Sequence, residues 1–526
     1  MFWSTDRFKQ FPLRLRPRQL AVLEACVIGL VSGLAAVLLK QSVGLFGGLR
    51  LQGAQQFPVY LVLPFVGGLG GFLSGWLIER LAPEAAGSGI PQVKIALAGL
   101  PTVLNLRLAA VKLLSTVLGL SSGLSLGRQG PTVQVGAAIA GQLSRWFPTS
   151  PEHRRQLIAA GAAAGLAAGF NAPIAGVLFV VEELLQDVSG LTLGTAILAS
   201  FIGAVISRGL GGQTLVTPSE MNLKPNFELQ YIPLLLLLGA MLGVLSVVFI
   251  RGIVLSIKLQ QKLIRWGLSW RIGAAGLISG GVIAILPATL RDNAALATVW
   301  TTGEFSWNLL ALVFGIKFCL ILLASGSNAP GGIFAPSLVL GSSFGFLFSY
   351  GATSLQQWTN LPLGVAESAI AGSADFASTF ALAGMAAFFS AVTRGPITAI
   401  VMVFEITGEF NLVLPLMIAS VTAYWIGESI ASGSIYKYLL ANRGIRLKDA
   451  ASSEAKLSNL KAADLMQRQV EVLASELTLE AAKQAFSKSH HRGFPVVEAG
   501  KLVGIVTQSD LTRNPDATDK TQTITQ

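Results

Sequence analysis

Four breaks of one chemical kind interrupt the apolar stretches of this 526-residue chain. They are Gly87-Ser88-Gly89-Ile90-Pro91, Gly127-Arg128-Gln129-Gly130-Pro131, the longer run from Gly326 through Asn328 and Gly332-Ile333-Phe334-Ala335-Pro336, and Thr393-Arg394-Gly395-Pro396. Most read as a tight glycine turn followed by proline in the first turn of a new helix. Such a start leaves backbone N–H groups without helical acceptors and puts the positive end of the peptide dipoles there. Several starts meeting at one depth would hold an anion without any full positive charge. That suits a conductor, whose ion must bind well enough to shed water and weakly enough to leave. Each break alone also fits an ordinary helix-connecting turn; the four together favour the anion site.

Charged groups in apolar surroundings are the second signal. Glu182 and Glu183 stand inside the run 177–185, where a carboxylate is costly and is retained for function or pairing. Neighbouring helical residues lie about 100° apart, so the two cannot serve one face. A carboxylate at a helix end can equally be solvated. Lys112, Lys317, Arg128 and Arg394 are cations in similar settings. Pairing with Glu405 or another acid is an expected role for Lys317 and Arg394.

The elements that position these groups should be membrane helices. Apolar residues make up 52% of the chain and charged residues 12%, far outside the range of soluble domains. Apolar runs at 20–45, 59–77, 234–248, 309–323 and 412–426 approach or reach the length that crosses a hydrocarbon core of about 30 Å. No alternation at strand period occurs, so helices are expected and a barrel is not. Much of the glycine lies within the apolar region, where it lets helix backbones approach closely.

The net charge of +11 does not point to nucleic acid, because no polar domain carries a basic face. Arg7, Lys9, Arg14, Arg16 and Arg18 precede the first apolar run against the single acid Asp6, a flank that predicts a cytoplasmic N-terminus. That run is too long for a cleaved signal peptide and lacks a clear small-residue cleavage site. Cys26 and Cys319 sit in apolar runs and read as packing residues. With only His153, His490 and His491 and no H-E-x-x-H motif, a membrane enzyme is not expected.

An internal duplication is also legible. The stretch 127–136 shares its Gly…Pro…Gly spacing with 332–341, 205 residues on. Gly161, Pro173, Ile174, Val180 and Glu182 find equivalents 223 positions later in Gly384, Pro396, Ile397, Val403 and Glu405. Glu183, by contrast, is matched by Ile406. Duplicated halves with matching broken segments point to a transport site between them.

Together and in this order, GSGIP, G-R-x-G-P, N-A-P-x-A-G-x-L-F-x-x-E-E and G-x-F-A-P resemble the CLC family of chloride channels and chloride/proton antiporters over about residues 20–440. The resemblance implies an all-α, inverted-repeat bundle with broken helices, with halves at about 20–225 and 226–440. It also implies a homodimer in the cell membrane with a separate chloride path in each subunit. Carried over by position, Ser88, with Gly89 and Ile90, would bind the central anion through its hydroxyl. Ile333 and Phe334 would add backbone N–H groups, and Tyr436 would close the inner side with its phenol. As a residue alone, Tyr436 also reads as an interfacial aromatic. Arg128, Gln129 and Gly130 match the gate, and Lys112 a lysine that raises the potential along the pore. Glu183 matches the inner proton-accepting glutamate; Glu182 and Glu405 are structural carboxylates. Lys94 stands where some bacterial relatives have an acid, so the partners of Glu183 are expected to differ.

The family normally has Glu where this chain has Gln129. An ionised carboxylate there would mimic an anion, and a protonated one would move aside and carry a proton. Gln resembles only the neutral form and does not titrate. The expectation is chloride conduction uncoupled from protons; the alternative is a chloride/proton antiporter using another proton donor. A non-conducting sensor would have no use for the helix starts.

After residues 441–461, a polar linker, the pattern at 462–515 is helix, two β-rich runs and a second helix start capped by Thr507 or Ser509. It resembles a CBS module, an adenosine-ligand sensor, whose ligand contacts would map to Thr507 and Asp510. Such modules usually work in pairs, so a second copy would come from the other subunit or be absent. A purely structural dimer contact is the other reading. His490 and His491 are expected to be solvated, and 516–526 is a tail.

Overall fold

The computed structural model describes residues 17–147, 150–185, 190–211, 227–263, 267–287, 291, 307–359, 374–445, 470–488, 493–507 and 510. The basic flank before residue 17, most of the linker, the tail, His490, His491 and Ser509 lie outside them. The chain divides into two compact units, Met1–Leu447 and Lys448–Gln526.

The larger unit is helical. Its first half contains α1 (Pro17–Gln56), α2 (Val59–Leu81), α3 (Ile90–Leu97), α4 (Leu106–Ser121), α5 (Gln129–Trp146), α6 (Pro151–Phe170), α7 (Pro173–Phe179) and α8 (Gly190–Gly211). A widened turn at Val180–Leu185 follows α7 and carries both acids. The second half contains α9 (Ile232–Leu263), α10 (Leu268–Ile285), α11 (Trp307–Gly326), α12 (Phe334–Thr359), α13 (Ala374–Thr393), α14 (Pro396–Thr407), α15 (Val413–Ile430) and α16 (Ile435–Asn442). Among the described residues, nine helices are long and apolar enough to cross a membrane. The short helices α3, α7, α14 and α16 cannot span at about 1.5 Å per residue; α3 and α14 are half-helices that begin at glycine–proline breaks.

Side chains fix several starts. The Asn105 carboxamide accepts from Leu108 N–H at 2.8 Å to open α4, and the Ser150 hydroxyl accepts from His153 N–H at 3.2 Å to open α6. These are N-caps of the preferred residue types.

The spans are held by backbone contact at glycine. Gly67, Gly71 and Gly75 of α2, spaced by one helical turn, lie on Gly276, Ile272 and Ser269 of α10. The duplication reaches this level of detail. Gly136 of α5 lies on Gly161 of α6, and their counterparts Gly341 of α12 and Gly384 of α13 lie on each other. Gly29 and Gly33 of α1 face α8 as Gly239 and Gly243 of α9 face α15. Asn171 (φ 58°) and Arg394 (φ 60°), also 223 apart, share a left-handed backbone that non-glycine residues seldom adopt. Gly276→Leu is therefore expected to prevent assembly, since its side chain would meet the Gly67 backbone. Gly315→Leu, with nothing within 4 Å of its added carbon, is expected to be neutral; size-exclusion profiles of the two variants in detergent check this.

Cys26 is half-buried, but Cys319 lies exposed on α11, so it is not the packing residue that its apolar surroundings suggested. The helix face at that position turns outward, which a uniformly apolar run does not reveal.

Among the described residues, the smaller unit has a three-stranded sheet and one helix: β1 (Leu473–Ala474), α17 (Leu479–Lys488), β2 (Gly493–Glu498) and β3 (Lys501–Thr507). The order is β1-β2-β3, parallel for the first pair and antiparallel for the second. Leu473, Ala482, Phe486 and Phe494 form its core, with the two rings 4.7 Å apart, edge to face. The two-residue β1 was not legible as a strand.

Candidate functional site

Three of the four breaks meet backbone to backbone. Gly127 N–H donates to Gly332 O at 2.7 Å and Gly332 N–H to Gly127 O at 2.6 Å, an isolated antiparallel pair between duplicated residues. A Cβ on Gly130 would lie 2.6 Å from Ser88 O and 2.9 Å from Gly332 Cα, so only glycine allows this approach. Gly89, at φ 90°, turns the chain so that Ile90 and Pro91 open α3; a Cβ there would lie 2.5 Å from Gln134 Oε1. Gly87 N–H donates to Asn328 O at 2.9 Å and joins this turn to the loop before α12.

The helices that start here have free donors. The first intrahelical bonds run from Val93 N–H to Gly89 O (3.2 Å), Thr132 N–H to Arg128 O (3.1 Å) and Ser337 N–H to Ile333 O (2.9 Å). The amides ahead of them in α3, α5 and α12 have no acceptor in their own helix. The hydroxyls of Ser88 and Tyr436 are buried, 8% and 0% exposed by residue, and neither has a hydrogen-bond partner. An orphaned buried hydroxyl costs about 1–3 kcal/mol, so both fit an acceptor with no side chain of its own, such as a halide. The Tyr436 ring, in the first turn of α16, lies 6.1 Å from Phe334 and 6.5 Å from Phe179. Ile90 and Ile333 are buried beside their turns.

Gln129 is the first residue of α5 and Arg128 its N-cap. The Gln129 side chain is buried, with Oε1 unpartnered. Lys112 is fully buried, and its Nζ donates to Ala85 O at 2.7 Å and to Gly87 O at 2.5 Å. Its nitrogen thereby lies at the carbonyl of the residue next to Ser88.

The fourth break behaves differently. The start of α14 is closed by Glu182, which accepts from Ile397 N–H (3.2 Å), Thr398 N–H (2.8 Å) and the Thr398 hydroxyl (2.6 Å). In return Glu405 accepts from Ile174 N–H (3.0 Å) and Ala175 N–H (2.8 Å) at the start of α7. The expectation of four free starts is therefore corrected: this one spends its donors on a carboxylate. Arg394 pairs with an acid, as expected, though not with Glu405. Its guanidinium pairs with Glu428 at 2.9 Å and donates to Ala391 O (2.5 Å) and Ala431 O (2.7 Å). Lys317 is buried in α11.

Glu183 is not solvated but 2% exposed. Its Oε1 pairs with Lys94 Nζ at 2.8 Å and accepts from the Ser434 hydroxyl at 2.6 Å. Sequence reasoning expected altered partners for Glu183 and missed Ser434. In the smaller unit, Asp510 Oδ2 accepts from Thr507 N–H at 2.9 Å and from its hydroxyl at 2.5 Å. A nucleotide using Asp510 would share a carboxylate already accepting two local bonds.

Comparison with known proteins agrees with this geometry. The family model described as Voltage gated chloride channel matches residues 70–428, and that of the CBS domain residues 462–516. The H(+)/Cl(-) exchange transporter ClcA of Vibrio parahaemolyticus is 33% identical over 86% of this chain and 96% of its own length. That of Vibrio cholerae is 35% identical over 79% and 87%. A solved structure of a slow cyanobacterial Cl-/H+ antiporter superposes with a TM-score of 0.72 at 30% identity, covering 82% of this chain and 98% of that one. The glycine-paired halves, the free helix starts and these likenesses agree: the chain belongs to the voltage gated chloride channel (CLC) family and carries a CBS domain at its C-terminus.

Proposed function

We propose that this protein is a chloride transporter of the exchanger type, with the anion held by the starts of α3, α5 and α12 and by the hydroxyls of Ser88 and Tyr436. The observation that carries this reading is the pair of buried, partnerless hydroxyls beside uncapped helix starts. Relatives named as H(+)/Cl(-) exchange transporters favour exchange over the channel reading set out from the sequence. In an exchanger without a carboxylate at position 129, the proton must pass the outer site by another donor and reach Glu183. One residue favours a second reading: Gln129 cannot titrate, and on that ground chloride moves without protons.

Reconstitution in liposomes distinguishes the two. In the exchange reading, an imposed chloride gradient drives protons uphill at a fixed chloride-to-proton ratio, read with paired chloride and pH electrodes. In the second, chloride efflux proceeds while the pH electrode stays flat. Absence of chloride flux overturns both. The basic flank at the N-terminus supports a cytoplasmic start, and the family resemblance supports a homodimer with one path per subunit.

A further inference from the structure

Ser434 occupies the N-cap position of α16, where a serine hydroxyl ordinarily accepts from the N–H groups of its own helix. Here it makes no such bond. Its hydroxyl donates instead to Glu183 Oε1 at 2.6 Å, the same oxygen that pairs with Lys94 Nζ at 2.8 Å. Forgoing a cap typically costs a helix about 1 kcal/mol, so the diversion calls for a compensating role.

The three partners lie on three different elements. Lys94 is on α3, the helix that Ser88 and Gly89 open. Glu183 is on the widened turn after α7, whose Phe179 packs on Phe334 at 4.9 Å and on Tyr436 at 6.5 Å. Ser434 stands two residues before Tyr436. A single carboxylate oxygen thus joins the helix behind Ser88 to the helix bearing Tyr436, and those two hydroxyls flank the anion on the proposed reading. Both are buried, and on the same reading the ion leaves between them. An ion leaving that way must part α3 from α16, and this tie opposes the parting.

We propose that Lys94 and Ser434 are positioning residues that act through Glu183 to hold the passage between Ser88 and Tyr436 closed. The proposal rests on the chloride-transport reading. The tie touches no anion, so it sets how often the passage opens and leaves equilibrium binding alone. A contact present in one of two states shifts their balance only by its differential strength.

The test separates rate from affinity on the full-length protein. Ser434→Ala should raise saturated chloride turnover in liposomes by about three- to tenfold, the scale of one lost hydrogen bond. Chloride affinity, from calorimetric titration of the purified variant, should stay within about twofold, because Ser88 and Tyr436 are intact. Ser434→Thr, which keeps the hydroxyl, should restore the original turnover. Should S434A not fold, Ser434→Cys, close in size but a much weaker donor, loosens the tie while leaving Glu183 and Lys94 in place, and the same split applies. Unchanged turnover, a parallel fall in turnover and affinity, or failure of threonine to rescue would each overturn the proposal. Absence of flux in the unmodified protein would instead sink the transport reading on which it rests.

Discussion

Replacing Gln129 with Glu is expected to slow chloride flux by about tenfold or more at pH 7 and to make the remainder rise as pH falls. The added carboxylate would sit on the first residue of α5, where free N–H groups and the helix dipole favour an anion. Ionised, it competes with chloride for those donors. An unperturbed glutamate protonates near about pH 4.3, and its neutral form resembles the native amide. The direction follows: block at neutral and alkaline pH, recovery on acidification. If the exchange site needs only this carboxylate, Q129E should also gain or strengthen chloride-driven proton movement. Flux against pH in liposomes decides the matter; a rate that ignores both the substitution and the pH would place residue 129 outside the path.

Removing a reciprocal cap should give a large loss of stability without preventing assembly. Glu182→Ala strands two backbone N–H groups and the Thr398 hydroxyl, the two groups of Thr398 being partly buried. At about 1–3 kcal/mol per stranded group, a cost of about 3 kcal/mol or more is expected. Glu405→Ala strands two N–H groups and should cost less. Glu182→Gln keeps an acceptor oxygen and should fall between wild type and E182A. Thermal melting of the detergent-solubilised protein reads the order. Equal melting of E182A and wild type would mean that these acids do not close the helix starts.

The repeat was the most legible feature of the sequence, because glycine and proline mark backbone geometry directly. Gly127 and Gly332, aligned by spacing alone, form the bridge at the centre of the site. Glu182 and Glu405, aligned in the same way, cap each other's helices. Five spans were visible as apolar runs. Helices α8, α10, α12 and α13 were not, because glycine, alanine and serine dilute their apolar signal while serving the close packing. Side-chain pairing across elements was the least legible. That Arg394 would meet an acid was legible, but which one, Glu428, was not, nor was the pairing of Lys94 with Glu183, because those meetings depend on how distant helices cross. Ser434 carried no sequence signal, since a serine before a helix is read by default as that helix's own cap.

The mutual caps have a consequence for how the protein is made. Ile174 must wait for Glu405, which leaves the ribosome 231 residues later. At about 5–20 residues per second, that delay is about 12 to 46 seconds. During it the opening turn of α7 has bare amides and no carboxylate to receive them. The N-terminal half is therefore unfinished until the C-terminal half is synthesised, and two separately expressed halves should mature only when they meet.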